Sequence, residues 1–225
     1  MDIRLTPIEA RVLGSLIEKD ITTPDYYPLS LNALMNACNQ KNNREPVMNL
    51  DENAMRDALA GLQDQHLAGP ARGADSRVTK YEHRLQEVFN LTRGETTLLC
   101  VLLLRGPQTP GQLRGRSERM FRFEHLDDVE ATLRRLIEHD PPLVAMLPRQ
   151  AGSKEARYAH LLSGESQQPA GDVPALRTSS DSDRIQRLES ELTELRRAFD
   201  DLRQEFSELQ KQFRSESTMD MKVIE

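Results

Sequence analysis

Apolar side chains recur at helical spacing twice over in this chain, in the same order each time. Leu5, Thr6, Glu9, Leu13 and Leu16 return 86 residues later as Leu91, Thr92, Glu95, Leu99 and Leu102. Met55, Leu59 and Leu62 return as Val129, Leu133 and Leu136, and Tyr81 and His83 as Tyr158 and His160. A unit of this length is a small domain, too long for one turn of a solenoid. Each copy opens on a hydroxyl followed three residues later by a carboxylate, Thr6 with Glu9 and Thr92 with Glu95. That pairing satisfies the free backbone donors of a helix start, and Pro7 suits the first helical position. A second short helix is predicted over 29–38 and 110–120, and a third from Asp51 or Asp127, both good N-caps. Strands at 67–71 and 77–83, then at 143–147 and 157–161, flank turns containing Gly73 and Gly152 and predict a closing hairpin.

Three helices and a hairpin, repeated, predict a mainly α protein with small β-wings: two tandem winged helix-turn-helix domains, at 1–88 and 89–163. Residues 164–182 are rich in Ser, Gly, Pro and Gln and predict a flexible linker. Beyond it Ile185, Leu188, Leu192, Leu195, Phe199, Leu202, Phe206, Leu209 and Phe213 alternate steps of three and four. This is a heptad seam, so a C-terminal coiled-coil helix is expected at 183–214, with a disordered tail at 215–225. In a parallel pair Arg184 meets Glu189 and Glu191 meets Arg196, both attractive, so a homo-oligomer through 184–213 is expected.

Composition agrees with a helical protein. Charged residues make up 29%, aromatics 4%, and Trp is absent, which fits helices better than a β-sandwich or barrel. Cys38 and Cys100 are the only cysteines, with no CxxC and no paired spacing, so neither a disulfide framework nor a zinc site is indicated. The first residues run straight into an amphipathic helix without a signal-peptide pattern, and the longest apolar stretch, 98–104, is far short of a membrane span. A cytoplasmic protein with no membrane partner is expected.

The net charge of −6 excludes a generally basic nucleic-acid binder and leaves room for a local patch. The outward positions of the first third helix include Glu52, Asn53, Arg56, Asp57, Gln63 and Asp64; those of the second include Asp128, Glu130, Arg134, Arg135 and Glu138. Carboxylates there are repelled by phosphate, so neither helix reads as a committed base reader. Positive charge gathers instead at Arg114, Arg116, Arg119 and Arg122, and on the wings at Arg72, Arg77, Lys80, Arg149, Lys154 and Arg157. These side chains suit contact with a phosphate backbone, or equally a solvated face with local ion pairs.

The stretch Asn39-Gln40-Lys41-Asn42-Asn43-Arg44-Glu45-Pro46-Val47 has no counterpart in the second copy. Its amides and cations are what a recognition loop offers, while a bland version is a connector whose amides cap the adjoining helix ends. The contact residues predicted for double-stranded DNA or a protein partner are therefore Asn39, Gln40, Lys41, Asn43, Arg44, Arg114, Arg116 and Arg119. Catalytic signatures such as a P-loop, GxGxxG, GxSxG or HExxH do not occur, so no catalytic residue, cofactor or metal is expected, and no enzyme.

Several blocks carry a family likeness. They are Thr22-Thr23-Pro24 with Tyr27-Pro28-Leu29-Ser30, then residues 37–50 (ACNQKNNREPVMNL), 78–83 (VTKYEH), 102–113 (LLLRGPQTPGQL), and 160–165 (HLLSGE). In these the chain resembles the YceH-like family of uncharacterised bacterial proteins. The resemblance implies tandem winged-helix domains and a C-terminal coiled coil in a cytosolic protein, and it implies no activity, substrate or catalytic residue. Two roles are expected to compete: a self-associating DNA-binding regulator or accessory factor, and a scaffold that docks proteins on its winged-helix faces.

Overall fold

The computed structural model describes residues 3–71, 78–149 and 155–164. The expected linker, coiled coil and tail, and the oligomer contacts of 184–213, lie outside the described residues, as do the wing cations Arg72, Arg77 and Lys154.

Helix α1 spans Pro7–Thr22 and is followed by a short 3-10 turn at Pro24–Tyr26. Strand β1 (Leu29–Ser30) leads into α2 (Leu31–Cys38), α3 (Glu52–Asp64), β2 (Ala68–Pro70) and β3 (Lys80–His83). A short α4 (Leu85–Phe89) opens the way to α5 (Arg93–Arg105), α6 (Pro110–Ser117), α7 (Leu126–Glu138), β4 (Val144–Met146) and β5 (Tyr158–His160). The described chain is mainly helical with small antiparallel strands. Among the described residues no helix is long and apolar enough to cross a membrane.

Local chemistry sets most of these boundaries. Glu9 N–H donates to Thr6 Oγ1 at 3.2 Å while Thr6 N–H donates to Glu9 Oε2 at 2.7 Å, and Thr92 with Glu95 repeats the arrangement at 3.4 and 2.8 Å. Asp51 caps α3 by accepting from Ala54 N–H at 2.8 Å. Two starts differ from the spacing argument. Leu29 belongs to a strand because Ser30 is the cap of α2, accepting from Ala33 N–H at 3.3 Å. Helix α7 begins at Leu126, one residue before Asp127, and it is Asp128 that reaches back to accept from His125 N–H at 2.9 Å.

The first sheet has the order β1-β3-β2, with Leu29 opposite Tyr81 and Gly69 opposite Glu82. The second is the β4-β5 pair, with Ala145 opposite Ala159. Gln108 stands where β1 stands in the first copy, exchanging both backbone hydrogen bonds with Tyr158 at 3.0 and 2.8 Å.

Buried side chains of both copies form one cluster. Helix α1 lies against α5 so closely that Gly14 is required at the contact. A Cβ there would come within 2.9 Å of Leu104 Cδ2 and Cγ and 3.2 Å of Leu103 Cβ. Cys100, which occupies the position equivalent to Gly14 in the second copy, donates its thiol to Gly14 O at 3.3 Å. Leu5 N–H also donates to Leu162 O at 2.7 Å, tying the start of the first copy to the end of the second.

Candidate functional site

The connector between α2 and α3 is built from the inside by two buried arginines. Arg11, on α1, is 1% exposed and donates to Cys38 O at 3.1 Å and Pro46 O at 2.5 Å. Burial and then the neighbouring Arg44 hold its guanidinium below the usual arginine range. Arg44 uses all five of its N–H donors. Nε bonds Ala37 O (3.1 Å); Nη1 bonds Asn43 O (3.0 Å) and Glu18 Oε1 (3.2 Å); Nη2 bonds Glu18 Oε2 (2.5 Å) and Gln40 Oε1 (3.3 Å). Asn39 closes the far end, its amide donating to Leu50 O at 2.9 Å and accepting from Leu50 N–H at 2.8 Å.

Asn39 and Arg44 thus face inward and hold the loop, and their polar atoms are occupied by the chain itself. Replacing Asn39 with Ala removes both bonds to Leu50 and should cost about 1–2 kcal/mol. Urea unfolding of the variant checks this, and an unchanged midpoint would show that the bonds contribute nothing.

The same loop docks on the second copy. Glu45 N–H donates to Leu104 O at 2.9 Å, and Asn43, at φ 61°, accepts from the Arg105 guanidinium through Oδ1. Asparagine tolerates this left-handed conformation better than most side chains. Between the loop, the last turns of α1 and α5, and the end of α6 lies a polar cleft of about 660 Å³. Gln40, Lys41 and Asn43 line it from the first copy and Arg116 and Arg119 from the second, so five of the eight residues nominated from sequence meet in one place.

Arg114 goes elsewhere. It donates to Phe123 O at 3.3 Å and Glu124 O at 2.6 Å, fastening the segment after α6, and does not line the cleft.

Two cations of the cleft, Lys19 and Arg105, belong to no basic cluster in the sequence. Each stands alone in the last turn of its helix, where a cation complements the carbonyl end of the helix. Their signal is the repeat itself, since they are equivalent positions 86 residues apart. Arg116 is set by Gln108, which is 2% exposed: its Oε1 accepts from Arg116 Nη1 while its Nε2 donates to Arg105 O at 3.0 Å and Gly106 O at 3.3 Å. Arg105 is held below the usual arginine range by burial and then by Arg116, with smaller effects from other charges nearby.

The third helices are poor in free cations. On α3 the one arginine, Arg56, is paired with Glu52 at 2.6 Å, and Asp57, Gln63 and Asp64 are exposed. On α7 Arg135 pairs with Glu95 at 3.1 Å, leaving Arg134 among exposed Asp127, Asp128, Glu130 and Glu138.

Both thiols are buried, and burial pushes Cys38 and Cys100 above the usual thiol range. His83 Nε2 lies 3.3 Å from Asp20 Oδ2 and its backbone N–H donates to the Tyr27 hydroxyl at 2.7 Å, a packing role on β3. Among the described residues no group of three or more His, Cys, Asp or Glu is placed to hold a metal ion.

A protein-family model described as "Protein of unknown function, DUF480" matches residues 5–153. The chain is 56% identical over 197 residues to a UPF0502 protein of Koribacter versatilis, covering 87% of this chain and 92% of the relative. It is 54% identical over 202 residues to a UPF0502 protein of Solibacter usitatus, covering 89% and 97%. A UPF0502 protein of Vibrio parahaemolyticus is 48% identical over 205 residues, covering 89% and 95%.

Proposed function

The chain belongs to the DUF480 family, and from that premise, which fixes no activity, we propose that it is a non-enzymatic tandem winged helix-turn-helix protein that contacts double-stranded DNA. In this reading it is a cytoplasmic regulator or accessory factor that self-associates through a coiled coil at 184–213, so that weak single contacts add up. The observation that carries it is the meeting of Lys41, Arg116 and Arg119 with Lys19 and Arg105 at one cleft built by both copies. Lys41 and Arg119 stand exposed at the rim, where a phosphate backbone can reach them. The acidic faces of α3 and α7 argue against base reading by those helices, so the contact is expected to depend little on DNA sequence.

Fluorescence anisotropy of labelled duplex DNA with the full chain tests this. If the two rim cations each neutralise one phosphate, affinity should fall roughly 12-fold between 50 and 200 mM salt. Two unrelated duplexes should bind within a few-fold of each other. An absence of binding at 50 mM salt rejects the reading.

One observation favours a different role. The exposed carboxylates of α3 and α7 form faces suited to a basic protein partner, which would make the chain a scaffold. Charge reversal at Glu130 and Glu138 would then abolish partner capture while leaving DNA affinity unaltered or raised.

A further inference from the structure

We propose that the cleft between the two copies binds a small phosphorylated molecule of nucleotide size. Five cations face it, Lys19, Lys41, Arg105, Arg116 and Arg119, against two carboxylates, Glu18 and Glu118. Glu18 is already matched by the bidentate Arg44. The ends of α1, α5 and α6 each contribute roughly half a negative charge, which together is smaller than the excess of three positive side chains. The cleft therefore stays positive.

Its cations are also placed, not merely abundant. Asn43 holds Arg105 and the buried Gln108 holds Arg116. The Arg116 guanidinium is close enough to disfavour the charge on Arg105, an effect that a bound anion beside them would relieve. The fixed guanidinium plane suits bidentate phosphate recognition.

Size and depth select a small ligand over a duplex at this floor. A volume of about 660 Å³ lies within the range typical of small-molecule sites. Arg105 and Arg116 are half-buried, whereas the phosphates of a convex duplex would meet the exposed rim first. Gln40, Asn42 and Thr22 add donors and acceptors for the rest of the molecule, over an apolar floor of Val101, Leu104 and Met120. The inference stands whether or not the chain binds DNA.

Isothermal titration of the full chain with pyrophosphate and with ADP, in the absence of DNA, is the test. Both should bind saturably at one site per chain, and adenosine at least tenfold more weakly than ADP. Arg105→Gln and Arg116→Gln should each weaken pyrophosphate at least tenfold, and Arg134→Gln, on α7 and away from the cleft, should leave it unchanged. Lys41→Gln alters only an exposed loop side chain, so it keeps the test informative should either arginine variant unfold; it is expected to weaken binding about threefold. Absence of saturable pyrophosphate binding at millimolar concentration overturns the proposal, as does equal affinity in Lys41→Gln and every folded arginine variant. A chain that binds pyrophosphate but no duplex fails only the DNA reading, and one that binds duplex but no pyrophosphate fails only this one.

Discussion

Replacing Arg44 with Met should destabilise the protein by about 3–5 kcal/mol, the usual cost of removing one partner from a buried ion pair. The Arg44 side chain is wholly buried and that of Glu18 is 13% exposed, so the carboxylate left behind has little water to turn to. The carbonyls of Ala37 and Asn43 lose their donors at the same time. Arg44→Lys should recover only part of this, because an ammonium has three donors to set against five acceptors. The loss should be shared with Glu18: in Glu18→Gln/Arg44→Met the cost should fall well below the sum of the single changes, since neither charge is then left alone. Urea unfolding of the four variants with the parent chain measures this directly. A loss below 1 kcal/mol for Arg44→Met would mean that water or another cation replaces the guanidinium and that the loop is not organised around it. The pair also bears on function, because the segment from Ala37 to Glu45 that Arg44 holds carries Gln40, Lys41 and Asn43 into the cleft.

The elements were legible in the sequence wherever the cause is local. Capping boxes at Thr6 and Thr92, the cap at Asp51 and the apolar stripes of α1, α3, α5 and α7 depend on residues within a turn or two of one another. The elements missed or displaced depend on longer reach. Short helix α4 has one buried residue at each end, Leu85 and Phe89, and too little length for a period to show. Gln108 takes the strand-like place beside Tyr158 only because β5 arrives 50 residues later. Gly14 looks like a helix-weakening residue until Leu103 and Leu104 are brought against it. The burial of α5 on every side from Gly94 to Leu104 exceeds the single stripe that its spacing predicts, because α1, α6 and α7 all pack against it.

The candidate site divides along the same line. Polar, amide-rich composition singles out the 39–47 stretch, but does not separate its inward side chains from its outward ones. Arg44 and Asn39 are drawn inward by Glu18 and Leu50, partners 26 and 11 residues away. Gln40 and Lys41 are left to line the cleft. Lys19 and Arg105 become visible only when the two copies are superposed position by position, which is information the repeat contains and charge clustering does not.

Stability should fall as the solution is acidified from pH 7 to pH 4, and His160 should be a principal cause. Its ring stands at the end of β5 with Nδ1 enclosed and without a hydrogen-bond partner. Burial lowers its pKa from 6.5 to about 4, because the imidazolium would have to give up its hydration. The cavity of about 370 Å³ beside it is also lined by Arg11, whose positive charge would not welcome a second, and by the exposed Glu45. The unfolded chain takes up the proton near pH 6.5, whereas the folded chain does not until about pH 4, so the unfolded state binds more protons across that window. Folding free energy from this group is therefore fully present above pH 6.5 and is lost as pH falls, by about 2 kcal/mol at pH 5 and about 3 kcal/mol at pH 4. His160→Leu, which keeps an apolar filling without a titrating group, should flatten the pH profile by about 2 kcal/mol between pH 7 and pH 5, above the range where carboxylates dominate. Denaturant midpoints at pH 7, 6 and 5 for the parent and the variant decide it. Parallel profiles would show that the ring is protonated as readily in the folded chain as in the unfolded one, and that water reaches Nδ1.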